Sequence, residues 1–192
     1  KSRKYLSSRN SCNGPTVKRM LRRDKTIRCE PNWEGEVSLA PNDKFYSSLY
    51  AAKSSGIAAI GLPSAWDKTT GSQSVVVGII DTGIDYNHLD LSANVWINSG
   101  EIPANGIDDD QNGYADDLYG IDSYNNDSDP LDDQSHGTHV AGTIGAVGND
   151  GKGIVGINWQ VKMVSCKAFG SNGTGTLAGV LKCIAYLNYL KT

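Results

Sequence analysis

The sequence predicts an α/β domain built on a parallel β-sheet, and three stretches carry this prediction. SVVVGIID at 74–81 and QVKMVSCKAF at 160–169 have the length and β-branched content of strands. HGTHVAGTIGAVG at 136–148 lies between them and predicts a tightly packed helix of small residues. Strands that alternate with helices form parallel sheets, in which functional groups gather at the carboxyl ends of the strands.

The remaining elements follow from local patterns. The stretch 47–71 has a helix-like apolar pattern that ends in a turn, and GSNGTG at 170–175 predicts a flexible loop. TLAGVLKCIAYLNYL at 176–190 predicts an amphipathic helix. Its apolar face is expected to consist of Leu177, Val180, Leu181, Ile184 and Leu187.

Charge divides the chain into two parts. Residues 1–30 carry 10 of the 18 Lys and Arg residues, so we expect a flexible basic arm at 1–32 and a domain at 33–192. A processing site near KR or RR is an alternative for the arm. Nucleic-acid binding is disfavoured because no aromatic interleaving or recognition motif accompanies the basic charge.

No membrane span is predicted, because apolar runs such as VVVGII at 75–80 are far shorter than the roughly 20 residues required.

The middle of the chain is acidic. Between Thr69 and Gly151 there are 15 acidic residues and no Lys or Arg. Such a block repels itself unless it is solvated or neutralised by bound cations. Because the acids alternate with Asn and Gly as in metal-binding loops, we expect cation binding in an insert at about 98–133.

DDDQNGYADD at 108–117 resembles the first half of an EF-hand-type calcium loop. It offers oxygen ligands at alternating positions: Asp108, Asp110, Asn112 and the carbonyl of Tyr114. The twelfth position of such a loop holds Tyr119 instead of glutamate, so Asp116 or Asp117 would have to complete the site. The pattern predicts a Ca²⁺ site.

Two histidines, His136 and His139, come just after a dense cluster of aspartates, and an aspartate ends the first long strand. Asp81 is followed by Thr82 and Gly83, and a carboxylate in this position stays ionised if backbone N–H groups donate to it. A neighbouring imidazole would donate one ring N–H to it and keep the other nitrogen as a base. Zinc binding by His136 and His139 is disfavoured, because the metalloprotease motif places its histidines four apart with a glutamate between them.

These motifs resemble those of a known family. VVVGIIDTGIDYNHLDL at 75–91 and HGTHVAGTIGAVGNDGKGIVGIN at 136–158 are similar to the aspartate and histidine signatures of subtilisin-like serine peptidases, and the resemblance extends from about Pro41 to the C-terminus. It implies a three-layer α/β fold with a parallel sheet, here incomplete at its C-terminal side. It also implies serine endopeptidase activity on polypeptides, with Asp81 as the orienting carboxylate and His136 as the general base. His139 is then expected to face the helix packing.

The family's nucleophile is a serine in a GTSMA-like segment of a later helix, and the chain ends at Thr192 before such a segment. The side chain of Ser135 is expected to point away from the imidazole. We therefore expect this chain to be the N-terminal part of a peptidase and to be inactive by itself. The alternative is a non-catalytic, calcium-binding or regulatory half-domain.

The resemblance adds further expectations. It implies a calcium site in the acidic insert that includes Asp117, and a second one at Asp90 and Asn149. Gly173, Thr174 and Gly175 resemble the edge segment that pairs with an extended peptide, with an ordinary loop as the alternative. The arm at 1–32 could then be the end of a pro-region that binds the domain.

Four cysteines, Cys12, Cys29, Cys166 and Cys183, allow three pairings. The segments CKAF and KCIAY are similar to those of subtilisin-like peptidases from apicomplexan parasites. The four cysteines do not settle the redox compartment. The apicomplexan similarity, together with the calcium sites, favours the secretory pathway or the extracellular space.

Overall fold

The structure is a computed structural model that describes residues 5–8, 18–19, 22–23, 28–31, 39–52 and 58–190. The chain divides into two compact units, Lys1–Val37 and Ser38–Thr192. In the first unit, strands β1 (Tyr5–Ser8) and β2 (Arg28–Pro31) pair in parallel. The arm predicted at 1–32 therefore contains two paired strands, which its sequence pattern did not indicate. Its role as an arm or a pro-region remains a prediction.

Among its described residues, 39–52 and 58–190, the second unit has three parallel strands and three α-helices. In chain order these are α1 (Leu62–Trp66), β3 (Gly71–Asp81), β4 (Gly120–Asp122), α2 (His136–Gly145), β5 (Gln160–Lys167) and α3 (Leu177–Tyr189). The strand order is β3-β5-β4, and all pairings are parallel. The predicted parallel α/β class is confirmed. Strand β4 was not predicted, because three residues are too few to show a periodic pattern.

The sheet is covered on both faces. On one face, Ala141 of α2 packs in a core with Ile79 of β3 and Met163 of β5. On the other face, Tyr186 of α3 packs with Val164 of β5. The predicted three-layer arrangement is therefore present, and the strand ends that carry functional groups lie between two helical layers.

A disulfide bond between Cys166 and Cys183 joins β5 to α3. It is one of the pairings that the sequence left open. Both cysteines are fully buried in the core between the sheet and α3.

The expected apolar face of α3 is correct at Val180 and Leu187, which pack against the core, and wrong at its other three residues. Gly179, Cys183 and Tyr186 are the buried residues of this 13-residue helix, whereas Leu177, Leu181 and Ile184 are more than half exposed. The disulfide and the phenol of Tyr186 turn the helix so that a mixed face meets the sheet. Within the described part of the chain, no helix is long and apolar enough to cross a membrane.

The helix-like pattern at 47–71 gives only short helical turns. Two 3-10 turns occupy Tyr46–Ser48 and Tyr50–Ala52, and α1 has five residues. Gly61 precedes α1 in the left-handed region, with φ of 77°, and Pro63 lies in its first turn. These two residues begin a new helix instead of extending an earlier one.

Candidate active site

The end of a strand and the start of a helix bring Asp81 and His136 together. Asp81 is the last residue of β3, and His136 is the first residue of α2. Their side chains are joined by a hydrogen bond of 2.7 Å between Nδ1 of the imidazole and Oδ1 of the carboxylate. The imidazole is 65% exposed and the carboxylate only 15% exposed, so the ring lies between a shielded anion and open space.

The backbone around Asp81 fixes its carboxylate. The N–H of Thr82 donates to the same Oδ1 atom at 2.7 Å. The carbonyl oxygen of Asp81 accepts the N–H groups of Ala168 and Phe169 at 2.8 and 3.2 Å. The expectation that backbone N–H groups hold this carboxylate is met by one direct donor, and the strand pairing anchors the residue itself.

The start of α2 approaches the end of β3 very closely. The N–H of Gly137 donates to Oγ1 of Thr82 at 2.9 Å. A Cβ atom on Gly137 would overlap the carbonyl oxygen of Gly83, so only glycine permits this approach. Ser135, just before the helix, is in the left-handed region with φ of 82°. The small residues beside His136 thus allow the imidazole to reach Asp81.

A second carboxylate, Asp132, organises the loop that leads into α2. It accepts the N–H and the hydroxyl of Thr138 at 2.9 and 2.6 Å and the N–H groups of Gln134 and Ser135 at 2.9 and 3.0 Å. The hydroxyl of Thr82 also donates to it at 2.9 Å. Burial by itself would raise the pKa of Asp132, but these donors outweigh it and lower that pKa, so the anion is held at the helix start.

The hydrogen bond between His136 and Asp81 leaves Nε2 of the imidazole free to accept a proton. The hydrogen bond with Asp81, reinforced by its negative charge, raises the pKa of His136 above the usual value. Because a carboxylate only accepts hydrogen bonds, Nδ1 is the donor, and Nε2 of the neutral ring carries the free lone pair. The ring borders a cleft of about 310 Å³ lined by Asp81, Thr82, Gln134, His136, Phe169 and Gly173. A larger cavity of about 820 Å³ lies beside residues 113–119, so cavity size does not locate the reacting groups.

His139 lies elsewhere. It borders a separate cavity of about 330 Å³ together with Ser135 and His88. The expectation that His139 faces the helix packing is wrong, because the residue is exposed. Ser135 lines this separate cavity and not the cleft of His136. Among the described residues, no serine is hydrogen-bonded to the imidazole of His136.

The segment expected to contact substrate forms a tight turn beside the cleft. The N–H of Gly170 donates to the carbonyl of Thr174 at 3.0 Å, and Gly175 forms an antiparallel bridge with Phe169. Gly173 borders the cleft, whereas Thr174 and Gly175 do not line it, although both are exposed beside it. Their role in substrate binding remains a prediction.

The expected second calcium site contains an aspartate that sequence reasoning missed. Asp90 and Asp43 are 4% and 5% exposed, and one carboxylate oxygen of each is buried with no hydrogen-bond partner in the described residues. The loop at 149–154 wraps these carboxylates through N–H groups of Asn149, which donates to Asp43, and Ile154, which donates to Asp90. Burial raises the pKa of Asp90, with the charges of Asp150 and Asp43 adding to the shift against the hydrogen bond from Ile154. Buried carboxylate oxygens without a donor, on two aspartates whose charges act on each other, suit a hard cation.

The acidic insert gathers a different set of carboxylates from the one its spacing suggested. Glu101, Asp110 and Asp117 each place a carboxylate oxygen within 4.8 Å of the others. Glu101 and Asp117 are buried, and burial raises the pKa of Asp117 despite hydrogen bonds from Tyr186, Asn98 and Asn112. Glu101 was missed, and the available signal was that it is the single glutamate between Thr69 and Gly151.

The other predicted ligands of the insert shape the loop. Asp108 accepts the N–H groups of Asn112 and Gly113 at 2.9 and 2.8 Å and is outside the three-carboxylate cluster. The amide of Asn112 donates to Asp110 and Asp117 at 3.1 and 3.0 Å, and its oxygen accepts the N–H of Tyr114 at 2.8 Å. These contacts bring Asp110 and Asp117 together.

Comparisons with known proteins identify the family of this chain. The sequence model of the subtilase family matches residues 72–188, more than half of the chain. Subtilisin-like protease 1 of Plasmodium berghei is 46% identical over 119 residues, which are 62% of this chain and 20% of the relative. The protein of the same name from Plasmodium vivax is 51% identical over 109 residues, which are 56% of this chain and 17% of the relative. The chain therefore spans about a fifth or less of the length of these relatives.

A solved structure is also similar. It belongs to the proteases from Pseudoalteromonas arctica PAMC 21717, with a TM-score of 0.54 and 31% identity. The match covers 75% of this chain and 43% of that one. The apicomplexan resemblance noted at CKAF and KCIAY is confirmed by the Plasmodium relatives, and the fold by the solved structure.

Proposed function

Because the chain belongs to the subtilase family, we propose that the full-length protein is a serine endopeptidase that uses Asp81 as orienting carboxylate and His136 as general base. The observation that carries the proposal is the 2.7 Å hydrogen bond between Nδ1 of His136 and the carboxylate of Asp81. It leaves Nε2 at the cleft, which is where a base must be in order to act on a nucleophile.

In the proposed reaction, Nε2 of His136 takes the proton of a serine hydroxyl while the serine oxygen attacks the carbonyl carbon of the scissile bond. The imidazolium then donates that proton to the leaving amine, and a water molecule attacks the acyl-enzyme in the same way. Asp81 stays ionised throughout, fixes the tautomer and stabilises the imidazolium. No described serine is hydrogen-bonded to His136, so we assign the nucleophile to the full-length protein and not to these residues.

Polypeptide is the proposed substrate. Gly173 borders the cleft, and the turn that holds it has exposed residues at 171–176. An extended peptide could pair with this edge as an added strand, with Gly173, Thr174 and Gly175 contributing backbone groups.

Calcium is the proposed ion at both carboxylate sites. Residues Asp43 and Asp90 would hold one ion, with Asn149 in the adjoining loop, and Glu101, Asp110 and Asp117 would hold the other. When bound, Ca²⁺ would supply charge neutralisation for carboxylates that otherwise face one another. The residues themselves position the loops: Asp43 ties the segment 39–52 to the loop at 149–154 through the N–H of Asn149.

A secretory or extracellular location is proposed on two grounds. The Cys166–Cys183 disulfide is typical of oxidising compartments. The proposed calcium sites are consistent with such compartments, where the ion is abundant.

The test is hydrolysis of an internally quenched peptide by the full-length protein, with and without a fluorophosphonate that reacts with activated serines. We expect hydrolysis that the reagent abolishes and that His136→Ala removes. The matched control is His139→Ala, which lies in the same helix and outside the cleft, and should leave hydrolysis intact. A folded full-length protein that shows no hydrolysis and no labelling would favour the non-catalytic, calcium-binding alternative.

A further inference from the structure

A lysine is completely buried beside the Asp81–His136 pair. Lys167, the last residue of β5, is 1% exposed, although lysines are almost never fully buried unless they are paired. Its Nζ donates to the carbonyl oxygen of Thr82 at 2.7 Å and to Oδ1 of Asp133 at 2.5 Å. Burying an ammonium group is costly, so these contacts must be strong enough to hold it.

The strand register places this lysine next to Asp81. In the sheet, Asp81 of β3 and Asp122 of β4 are both register partners of Lys167 on β5. Partners in register on neighbouring strands point to the same face, about 4.8 Å apart. That face is covered by α2, because Ile79, two residues before Asp81, packs against Ala141. Lys167 therefore stands between Asp81 and Asp122 in the order of the strands, on the side of the sheet where α2 begins.

The two acceptors of Lys167 belong to the two segments that carry the pair. Thr82 directly follows Asp81 and donates its own N–H to the carboxylate of Asp81. Asp133 lies in the loop that leads into α2, three residues before His136. One ammonium group thus links the strand end that holds the acid to the loop that holds the base.

We propose that Lys167 is a positioning residue for the Asp81–His136 pair. By holding the carbonyl group of Thr82 and the loop at Asp133, it keeps the carboxylate and the imidazole in hydrogen-bonding contact. The proposal rests on the proposed peptidase function only in the experiment that measures kcat. Lys167 does not touch the reacting atoms. It acts through Thr82, whose N–H must point at Asp81, and through the loop before His136.

A second lysine on the same strand provides a matched control. Nζ of Lys162 also donates to backbone carbonyls, those of Ala93 and Val95, at 2.9 and 3.3 Å. It lies near the opposite end of β5 and contacts neither segment of the pair. Lys162→Met therefore removes the same kind of bond from the same strand, and any general loss of stability should appear there as well.

The first experiment compares Lys167→Met and Lys162→Met in the full-length protein. For Lys167→Met we expect kcat to fall by about 10- to 100-fold with little change in KM, because small displacements of catalytic groups have effects of that size. Lys162→Met should leave kcat unchanged. A folded Lys167→Met protein with wild-type kcat would overturn the proposal.

The second readout does not require activity. The protein is labelled with ¹³C at Cε1 of histidine, and the pKa of His136 is measured by an NMR titration. The signal of His136 is the one that is missing from the spectrum of His136→Gln. Removal of a positive charge alone would raise this pKa, so a fall toward the ordinary value of about 6.5 reports a loosened contact with Asp81. Asp81 and Asp132 are the charged groups that act on His136, and both remain in the variant. We expect the fall, and an unchanged or higher pKa would overturn the proposal.

If Lys167→Met does not fold, Asp133→Asn decides the question. The carboxylate of Asp133 is half exposed, and the amide keeps an acceptor oxygen for the buried ammonium group of Lys167. We expect the same fall in kcat in smaller degree, and an unchanged kcat would overturn the proposal. The pKa of His136 is not compared for this variant, because loss of a negative charge would lower it by itself. If the wild-type protein lacked peptidase activity, the proposed function would fail while the NMR titration still tested Lys167.

Discussion

The carboxylates at the Asp81–His136 pair and those of the acidic loop, residues 98–119, are stabilised in different ways. Beside the pair, Asp81 and Asp132 receive hydrogen bonds from side chains and backbone N–H groups, and Lys167 adds a buried positive charge. In the acidic loop, Glu101, Asp110 and Asp117 converge without a neighbouring cationic side chain among the described residues. The chain itself supplies donors and a positive charge to the first region, whereas we propose that the second is neutralised by a bound cation.

This difference separates two functions of acidic residues. A carboxylate held by protein donors keeps its orientation at all times, which a general base requires of its partner. A cluster that binds a cation gains its order when the ion binds, so its contribution depends on ion concentration. We therefore expect substitutions at the pair to affect turnover and substitutions in the acidic loop to affect stability.

The largest effect is expected for Asp81→Asn in the full-length protein. The amide would favour the wrong imidazole tautomer, and kcat should fall by about 10⁴, as the equivalent change does in an unrelated serine peptidase. The control is Asp85→Asn in the same motif, whose carboxylate accepts only the N–H of Asn87 among the contacts of the described residues. Steady-state hydrolysis of a quenched peptide measures both, and an Asp81→Asn protein with more than a tenth of wild-type kcat would contradict the assignment.

The next effect is the dependence of stability on calcium. Ion binding to the folded state alone stabilises it by about 2.7 kcal/mol when free calcium is 100 times the dissociation constant. A chelator should therefore lower Tm, and the double substitution Asp110→Ala with Asp117→Ala should remove most of the response. In the chelator, the variant should itself be less stable than wild type, because Asp117→Ala leaves the buried donors of Tyr186, Asn98 and Asn112 without their acceptor. The quantity compared is therefore the calcium-induced rise in Tm of each protein.

Asp127→Ala is the control for the calcium titration, since it removes an exposed carboxylate from the same acidic region. Magnesium should substitute poorly, because its small octahedral shell does not suit a loop with many oxygen ligands. Identical calcium responses of wild type and the double variant would show that Glu101, Asp110 and Asp117 do not bind the ion.

A smaller effect is expected in the pH dependence. The hydrogen bond and charge of Asp81 raise the pKa of His136, and the base must be neutral to act. The kcat/KM of the full-length protein should therefore rise with pH through a pKa above the ordinary histidine value of about 6.5. The stability that the His136–Asp81 ion pair contributes has the opposite dependence on pH. It is complete below the ordinary pKa of histidine and is lost as pH rises through the raised pKa of His136. An acidic limb centred below 6.5 would contradict the contact.

The smallest effect is expected for His139→Ala. Because His139 is exposed, the free energy of unfolding should change by no more than about 0.5 kcal/mol, and kcat should be unchanged. Chemical denaturation of the variant and the wild type measures the difference. A loss of several kcal/mol would restore the packing role that the sequence suggested for this residue.

The strand, the helix and the pair could be predicted because their signals are local. A hydrophobic strand ending in Asp81 and a small-residue helix starting at His136 appear as continuous patterns. In a parallel sheet, such ends meet at one edge. The 2.7 Å contact between the two side chains follows from that topology.

Other features depend on long-range contacts that no local pattern records. Asp43 reaches Asn149 across 106 residues, so its membership of a carboxylate pair with Asp90 could not be inferred from spacing. Lys167 resembles an exposed residue at the end of a strand until the register places it beside Asp81. The buried face of α3 was mispredicted because the disulfide to β5 and the hydrogen bond of Tyr186 to Asp117 determine its rotation.

The most direct test of the catalytic assignment is covalent labelling of the full-length protein by a peptide chloromethyl ketone, followed by peptide mass mapping. Nε2 of an active-site histidine displaces the chloride and becomes alkylated, whereas histidines outside the cleft react slowly. We predict a single label on His136 that appears with loss of peptidase activity and is greatly slowed in Asp81→Asn. A folded, calcium-loaded protein that is labelled at His139 or His88 instead, or not labelled at all, would contradict the assignment.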